Sequence, residues 1–386
     1  MRYVTADRIF SGKEYLPKNT VLAITNEGVL TDLISEENSA NSNIERLNGI
    51  ICPGFINTHC HLELSHLKGI IKQHTGIVDF GLSVIKHRND QSPEEQIEAM
   101  LHADAEMQKQ GIVAVGDISN TSASIAAKKK SDLYYHTFVE LIALNPERSE
   151  IVFEEGKQLE SEFKSNNLSA SLAPHAPYSA SLKLIEQLSN HCYSTKQPTS
   201  IHNQESKAEN DFFINKTGNY LRLYETLNIA ISYFKPTQKS SLQSVINAFN
   251  IAVNTLMVHN TFTNKEDLQV AQSFHKQLYW CLCPKANLFI ENLLPDIQLM
   301  ISNNCKLTFG TDSLASNTGL SIIDEINTIV KKNPEVSFEL LLKAATYDGA
   351  EFLGIEDQFG SLLKNRKCGI NLIEENSGNY TIKKLA

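Results

Sequence analysis

Pro53-Gly54-Phe55-Ile56-Asn57-Thr58-His59-Cys60-His61 is the stretch on which the reading of this chain turns. A short apolar run ends in two histidines two positions apart. Strand side chains alternate between faces, so His59 and His61 point the same way. Two imidazoles on one face at a strand end can share a metal ion. Alone the pair is a weak signal, since this spacing is more often two ordinary polar residues. It gains force from what recurs downstream. His175 closes an apolar run in Ala173-Pro174-His175-Ala176-Pro177-Tyr178, and His202 closes another in Ser200-Ile201-His202-Asn203-Gln204-Glu205. His259 ends Leu256-Met257-Val258-His259-Asn260, and Asp312 ends Leu307-Thr308-Phe309-Gly310-Thr311-Asp312.

Those runs belong to a series of eight candidate strands at about 50–58, 112–118, 134–143, 168–174, 199–203, 255–260, 277–283 and 305–311. Helix-like segments separate them. Ser92-Pro93-Glu94-Glu95 predicts a capping box with proline at the first helical position. Ile97, Met100, Leu101 and Ala105 are expected on one face of that helix, and Gly111 to end it. Strand–helix alternation means a mostly parallel sheet covered by helices. Eight units favour a closed (β/α)8 TIM-type barrel, an α/β fold, over an open doubly wound sheet. The C-terminal strand ends of a barrel converge on one face, so the recurring histidines and Asp312 would meet there.

Both chain ends read differently. Val21-Leu22-Ala23-Ile24, the turn Asn26-Glu27-Gly28 and then Val29-Leu30 suggest short strands. Gly369-Ile370-Asn371-Leu372-Ile373, a turn at Ser377-Gly378-Asn379, and Tyr380-Thr381-Ile382 suggest more. The expected organisation is residues 1–50 and 355–386 pairing into one small β domain, with the barrel over 51–354.

The bulk numbers exclude several classes. A hydrophobic fraction of 41% and a charged fraction of 20% fit a soluble globular chain of 386 residues. A formal charge of -9, with only 35 Lys and Arg, argues against nucleic acid or an anionic membrane as partner. No stretch approaches the roughly 18 apolar residues of a membrane span. Seven scattered cysteines make a poor disulfide framework and suit the cytoplasm, and Cys281 and Cys283 read as buried thiols. The expected partner is a small-molecule substrate, and a homodimer stays open. His66, His74, His87, His102, His136, His191 and His275 read as surface or packing residues.

The order HxH, His, His, His, Asp, with Ala345-Thr346-Tyr347-Asp348-Gly349-Ala350 and Gly360-Ser361-Leu362 near the end, resembles the amidohydrolase superfamily over nearly the whole chain. Pro174-His175-Ala176-Pro177-Tyr178, the spacing from His202 to Glu205, and Gly310-Thr311-Asp312-Ser313 are similar to its deaminase and chlorohydrolase branch, which includes S-adenosylhomocysteine, adenosine-type and guanine deaminases. His61-Leu62-Glu63-Leu64-Ser65 and Glu205-Ser206-Lys207-Ala208-Glu209 look closer still to 6-aminodeoxyfutalosine deaminases. The resemblance implies one divalent metal, zinc before Fe²⁺ or Mn²⁺, held by His59, His61, His202 and Asp312. It implies substrate contacts from His175 and Glu205, and proton handling by Glu205, His259 and Asp312. Binuclear relatives bridge two metals with a carboxylated lysine; residues 131–156 hold no lysine, although Glu140 is a conceivable bridge.

The chemistry that follows is hydrolytic deamination of an amino-heterocycle, most readily an adenine nucleoside derivative, with ammonia released. A competing reading within the same superfamily is hydrolysis of another C–N or C–Cl bond, in guanine, an s-triazine, an N-formyl group or a cyclic amide. A non-catalytic barrel subunit is the minor alternative, against which the full set of candidate ligands speaks. No GxSxG, GxxxxGK[ST] or HExxH sequence is present, nor the HxE with PCxxC of the other zinc deaminase fold. Arg88, Glu63 and Trp280 are further candidates for the pocket.

Overall fold

The computed structural model describes residues 1–39 and 43–386. Its strands are β1 (Arg2–Ile9), β2 (Thr20–Ile24), β3 (Leu30–Ser35), β4 (Ile44–Pro53), β5 (Phe55–Cys60), β6 (Ile112–Ser119) and β7 (Tyr134–Leu141). There follow β8 (Ser169–Pro174), β9 (Thr199–Asn203), β10 (Thr255–His259), β11 (Leu278–Leu282), β12 (Lys306–Phe309), β13 (Ile370–Asn376) and β14 (Asn379–Lys384). β5-β6-β7-β8 form one four-stranded sheet and β12-β11-β10-β9 another. Every pairing in both is parallel. Strand order is sequential, without the reversal that marks a doubly wound sheet. Every residue of β5, β9, β10 and β11 is buried, as expected where a parallel sheet is covered on both faces.

The two sheets touch at their C-terminal ends. The backbone N–H groups of Thr311 and Asp312 donate to the His59 carbonyl at 3.0 and 3.1 Å, linking the ends of β12 and β5. The His202 N–H donates to the His175 carbonyl at 2.9 Å, linking β9 to the end of β8.

A third sheet, in the order β14-β13-β4-β1-β2-β3, joins strands from both chain ends. The first candidate strand, 50–58, is therefore two strands. Residues up to Pro53 belong to β4, which pairs with β1 and β13, and Phe55 begins β5. Gly54 is the joint: a Cβ there would lie 2.3 Å from Val113 Cγ1, so only glycine lets the chain pass between the sheets at this point. Continuous apolar character hid the break.

The helix Pro93–Lys109 has its capping box, with Ser92 and Glu95 bonding reciprocally. Its buried face is Met100, Ala103, Asp104 and Met107, with Ile97 and Leu101 half-buried; Ala105, expected on that face, is exposed. The face turns because Asp104, though charged, is drawn inward by Ser131 and Tyr135, whose hydroxyls donate to it at 2.6 and 2.7 Å. Among the described residues no helix is long and apolar enough to cross a membrane.

Candidate active site

The C-terminal ends of the parallel strands bring the recurring residues together. His59 lies in β5 and His61 one residue beyond it; His202 lies in β9 and His259 ends β10. Asp312 follows β12 by a short turn. The Nε2 atoms of His61 and His59 are 3.2 Å apart, and those of His61 and His202 are 3.3 Å apart. Asp312 Oδ1 stands 3.6 Å from His59 Nε2 and 3.4 Å from His61 Nε2. Tetrahedral donors around a zinc ion, with bonds of about 2.0–2.1 Å, are about 3.3–3.4 Å from one another. The donor set and its spacing fit a divalent ion.

Neighbours orient the rings. His202 Nδ1 donates to the His175 carbonyl at 2.8 Å, which leaves its Nε2 lone pair facing the cluster. His259 Nδ1 donates to Asn287 Oδ1 at 2.8 Å, and its Nε2 stands 3.6 Å from Glu205 Oε1. Ser316 Oγ donates to Asp312 Oδ2 at 2.5 Å. His175 Nδ1 is 2.6 Å from Ser179 Oγ. Gln204, His259 and Asp312 hold φ of +44°, +73° and +56°, left-handed values that are uncommon for side-chain-bearing residues and concentrate at functional sites.

Electrostatics sort the groups by task. Burial, then the neighbouring His59 ring, pushes His202 well below the usual histidine range; burial also lowers His61 and His259. Neutral imidazoles are what a metal or a base requires. Burial alone would raise Asp312, but the His59 hydrogen bond and the surrounding imidazoles outweigh it and keep the carboxylate ionised. Glu205 goes the other way: burial, with the Asp312 and Glu291 charges, raises it well above the carboxylate range.

His61, His202 and Asp312 of the cluster line a cavity of about 510 Å³, together with His175, Glu205 and His259, while His59 is fully buried behind them. Arg88 lines it, as anticipated. Glu63 and Trp280 do not. Glu63 turns to Thr121 Oγ1 and the Asn120 N–H, and Trp280 is core. Of the histidines set aside, His66 is buried with its Nε2 on the Arg88 carbonyl, and His136 is fixed between Ser169 and Ser171. Cys281 and Cys283 are buried thiols. Asn287, Ser316, Ser179 and Asn120 had no mark in the sequence, being single polar residues outside any motif.

A parallel α/β scaffold with this donor cluster at its strand ends offers a site suited to a divalent metal ion. The chain belongs to the amidohydrolase family, whose model matches residues 50–385, and it is a hydrolase acting on carbon–nitrogen bonds. It is 27% identical over 334 residues to an adenosine deaminase of Helicobacter pylori, spanning 84% of this chain and 79% of that one. It is 25% identical over 350 residues to an aminodeoxyfutalosine deaminase of Nitratiruptor, spanning 88% and 82%. The crystal structure of Helicobacter pylori aminofutalosine deaminase in complex with methylthio-coformycin has the same fold, with a TM-score of 0.80 at 22% identity, covering 98% of this chain and 93% of that one.

Proposed function

We propose that this chain hydrolyses the exocyclic amino group of an adenine nucleoside derivative with a modified 5′ end, releasing ammonia. The observation that carries the proposal is Glu205, buried and biased toward its protonated form, 3.6 Å from neutral His259 in the cavity that His61, His202 and Asp312 also line. An amide hydrolase has less use for a buried acid there than a reaction that must protonate a ring nitrogen. The names of the relatives agree: adenosine, aminodeoxyfutalosine, 5′-deoxyadenosine and methylthioadenosine/S-adenosylhomocysteine deaminases.

His59, His61, His202 and Asp312 would hold the ion, for which zinc suits the nitrogen-rich donor set. When bound, such an ion supplies the acidity that makes water a nucleophile near neutral pH. Glu205 delivers a proton to a ring nitrogen as the amino-bearing carbon is attacked. His259, fixed by Asn287, takes one proton from the attacking water and with Asp312 passes it to the amino group, which departs as ammonia; the second water proton leaves the new oxygen as the carbonyl forms and restores the one Glu205 gave. His175 contacts the sugar. The outer cavity wall is apolar, with Phe80, Val84, Leu223, Leu227 and Ile229, and Arg88 beside it makes no side-chain hydrogen bond or ion pair to the described residues. That wall supports a bulky, largely apolar 5′ substituent. In this reading the two parallel sheets act as one closed (β/α)8 barrel within 51–354, and 1–50 with 355–386 form a small β domain, to which residues 51–53 belong as the end of β4. The mostly buried thiols fit a cytoplasmic enzyme.

The test is ammonia release from adenosine, 5′-methylthioadenosine, S-adenosylhomocysteine, 6-aminodeoxyfutalosine, guanine, adenine and an s-triazine, with metal counted per chain. Nucleosides with 5′ substituents should turn over best, with about one divalent ion per chain, and His202→Ala should lose both ion and activity. Turnover of free bases or triazines as fast as nucleosides would overturn the substrate reading.

A further inference from the structure

Glu140 enters the cavity in a way the reaction above does not use. It lies in β7, is buried, and lines the cavity with Asn120, His175 and His202. Its two oxygens differ. Oε2 accepts from Asn120 Nδ2 at 3.0 Å, and the same amide donates to the Glu140 carbonyl at 3.1 Å, clamping the carboxylate to its own strand. Asn120 is held in turn, its N–H donating to Glu63 Oε2 at 3.2 Å. Oε1 is buried and has no hydrogen-bond partner among the described residues. His202 Nδ1 is 3.4 Å away, but its one proton is directed to the His175 carbonyl at 2.8 Å. Leaving a buried acceptor unpaired is costly, more so for a charged one, so such an atom at a cavity wall marks a place a ligand completes.

We infer that Glu140 selects for an intact ribose, its Oε1 accepting a hydrogen bond from a sugar hydroxyl; the inference rests on the nucleoside reading of the site. The placement supports this. The donor cluster forms at the Nε2 edge of His202, whereas Glu140 faces the Nδ1 edge, so the carboxylate stands one imidazole's breadth from the reacting centre. That offset suits a nucleoside's sugar and not the ring carbon under attack. A carboxylate accepts hydroxyl donors without offering a proton of its own, which is how acidic residues recognise ribose elsewhere. His175 completes the subsite: Ser179 engages its Nδ1, and one ring nitrogen of it lies within 4.8 Å of ligand atoms of both Glu140 and His202. The same trio is a poor cation site. His202 Nδ1 is protonated toward a carbonyl and its Nε2 already faces the first cluster, so it has no lone pair left to give.

The experiment compares kcat/KM for ammonia release from adenosine, 2′-deoxyadenosine, 3′-deoxyadenosine and 2′,3′-dideoxyadenosine, in the metal-loaded parent enzyme and in Glu140→Gln. The parent should lose ~10²-fold or more between adenosine and the dideoxy compound, chiefly in KM, because a site built around a hydroxyl rejects substrates lacking it. Glu140→Gln should be penalised at least ~10-fold more on adenosine than on the dideoxy compound, with metal content equal to the parent's. Asn120→Ala, which frees the clamp, should show the same selective loss in weaker form, and serves if Glu140→Gln does not fold. Equal losses on both compounds would make Glu140 a support for His202 and overturn the inference. So would loss of a second equivalent of metal in Glu140→Gln. A parent that deaminates adenosine and dideoxyadenosine alike refutes this inference alone; one that deaminates no nucleoside refutes the proposed function, and the inference with it.

Discussion

Glu205 shows how much a single residue's surroundings decide. It sits two residues beyond β9, after Gln204 in a left-handed conformation, and that twist turns its side chain into the cavity. Burial and two neighbouring acids favour its neutral form. Glu205→Gln keeps the shape and removes the titratable proton. The expected outcome is turnover lower by ~10²-fold or more, with metal retained, the scale of lost acid–base catalysis. Activity of the parent should also fall as pH rises through the raised Glu205 value, since the acid then loses its proton, and this limb should be missing in the variant. Steady-state pH profiles with metal analysis check both, and loss of the ion in Glu205→Gln would instead make Glu205 a ligand. Glu205 was legible as a candidate from its spacing to His202, but its protonation bias was not, because Asp312 and Glu291 approach it only in space.

At the scale of an element, the end of β12 carries the heaviest constraint. The chain leaves Phe309, passes Gly310 and delivers Asp312 to the cluster, with the Thr311 and Asp312 N–H groups both on the His59 carbonyl. A Cβ at Gly310 would lie 2.7 Å from His59 Cβ, 2.9 Å from its carbonyl oxygen and 2.8 Å from Cys281 Sγ. None of these is a flexible side-chain tip, so the strand end must shift. Gly310→Ala is expected to cost about 1–3 kcal/mol by overpacking, and to weaken metal binding by ~10-fold or more as Asp312 and His59 separate. Chelator competition with thermal unfolding measures both, and an unchanged metal affinity would show that the cluster tolerates the shift. The strands themselves were readable from apolar runs bounded by turns. The break at Gly54 was not, because the residues on either side are equally apolar and differ only in which sheet they join.

For the whole molecule, buried acids set a pH dependence of stability. Burial pushes Glu209 up to about 7 and Glu325 up to about 8, against an ordinary value of 4.5. A raised folded-state value means the unfolded chain releases the proton first as pH rises. The stability these groups contribute is therefore full below about pH 4.5 and is lost progressively up to about pH 7–8. Glu209→Gln should match the parent near pH 4.5 and become the more stable of the two as pH approaches 8, by on the order of 1–3 kcal/mol. Denaturant melts across that range test it, and a constant difference between the two proteins at all pH values would contradict it. Glu209 was noticed only as part of a run resembling one family; its burial beneath the Gln204 N–H, which it accepts at 3.0 Å, is a packing result.

By itself the sequence determined the parallel α/β character, the alternation of eight strands with helices, and which residue types stand at strand ends. These are local properties, set by side-chain periodicity and turn chemistry over a few neighbouring positions. The tertiary structure decided which atoms meet: that His59, His61 and His202 face one another through Nε2, that Asn287 holds His259, and that both chain ends share a six-stranded sheet. It also decided that one oxygen of Glu140 is buried without a hydrogen-bond partner among the described residues. Those facts depend on contacts between distant residues, as when Asn57 Nδ2 donates to Thr311 Oγ1 at 2.8 Å across 254 positions. No local pattern encodes such contacts, because each is fixed by how the packed elements orient two side chains at once.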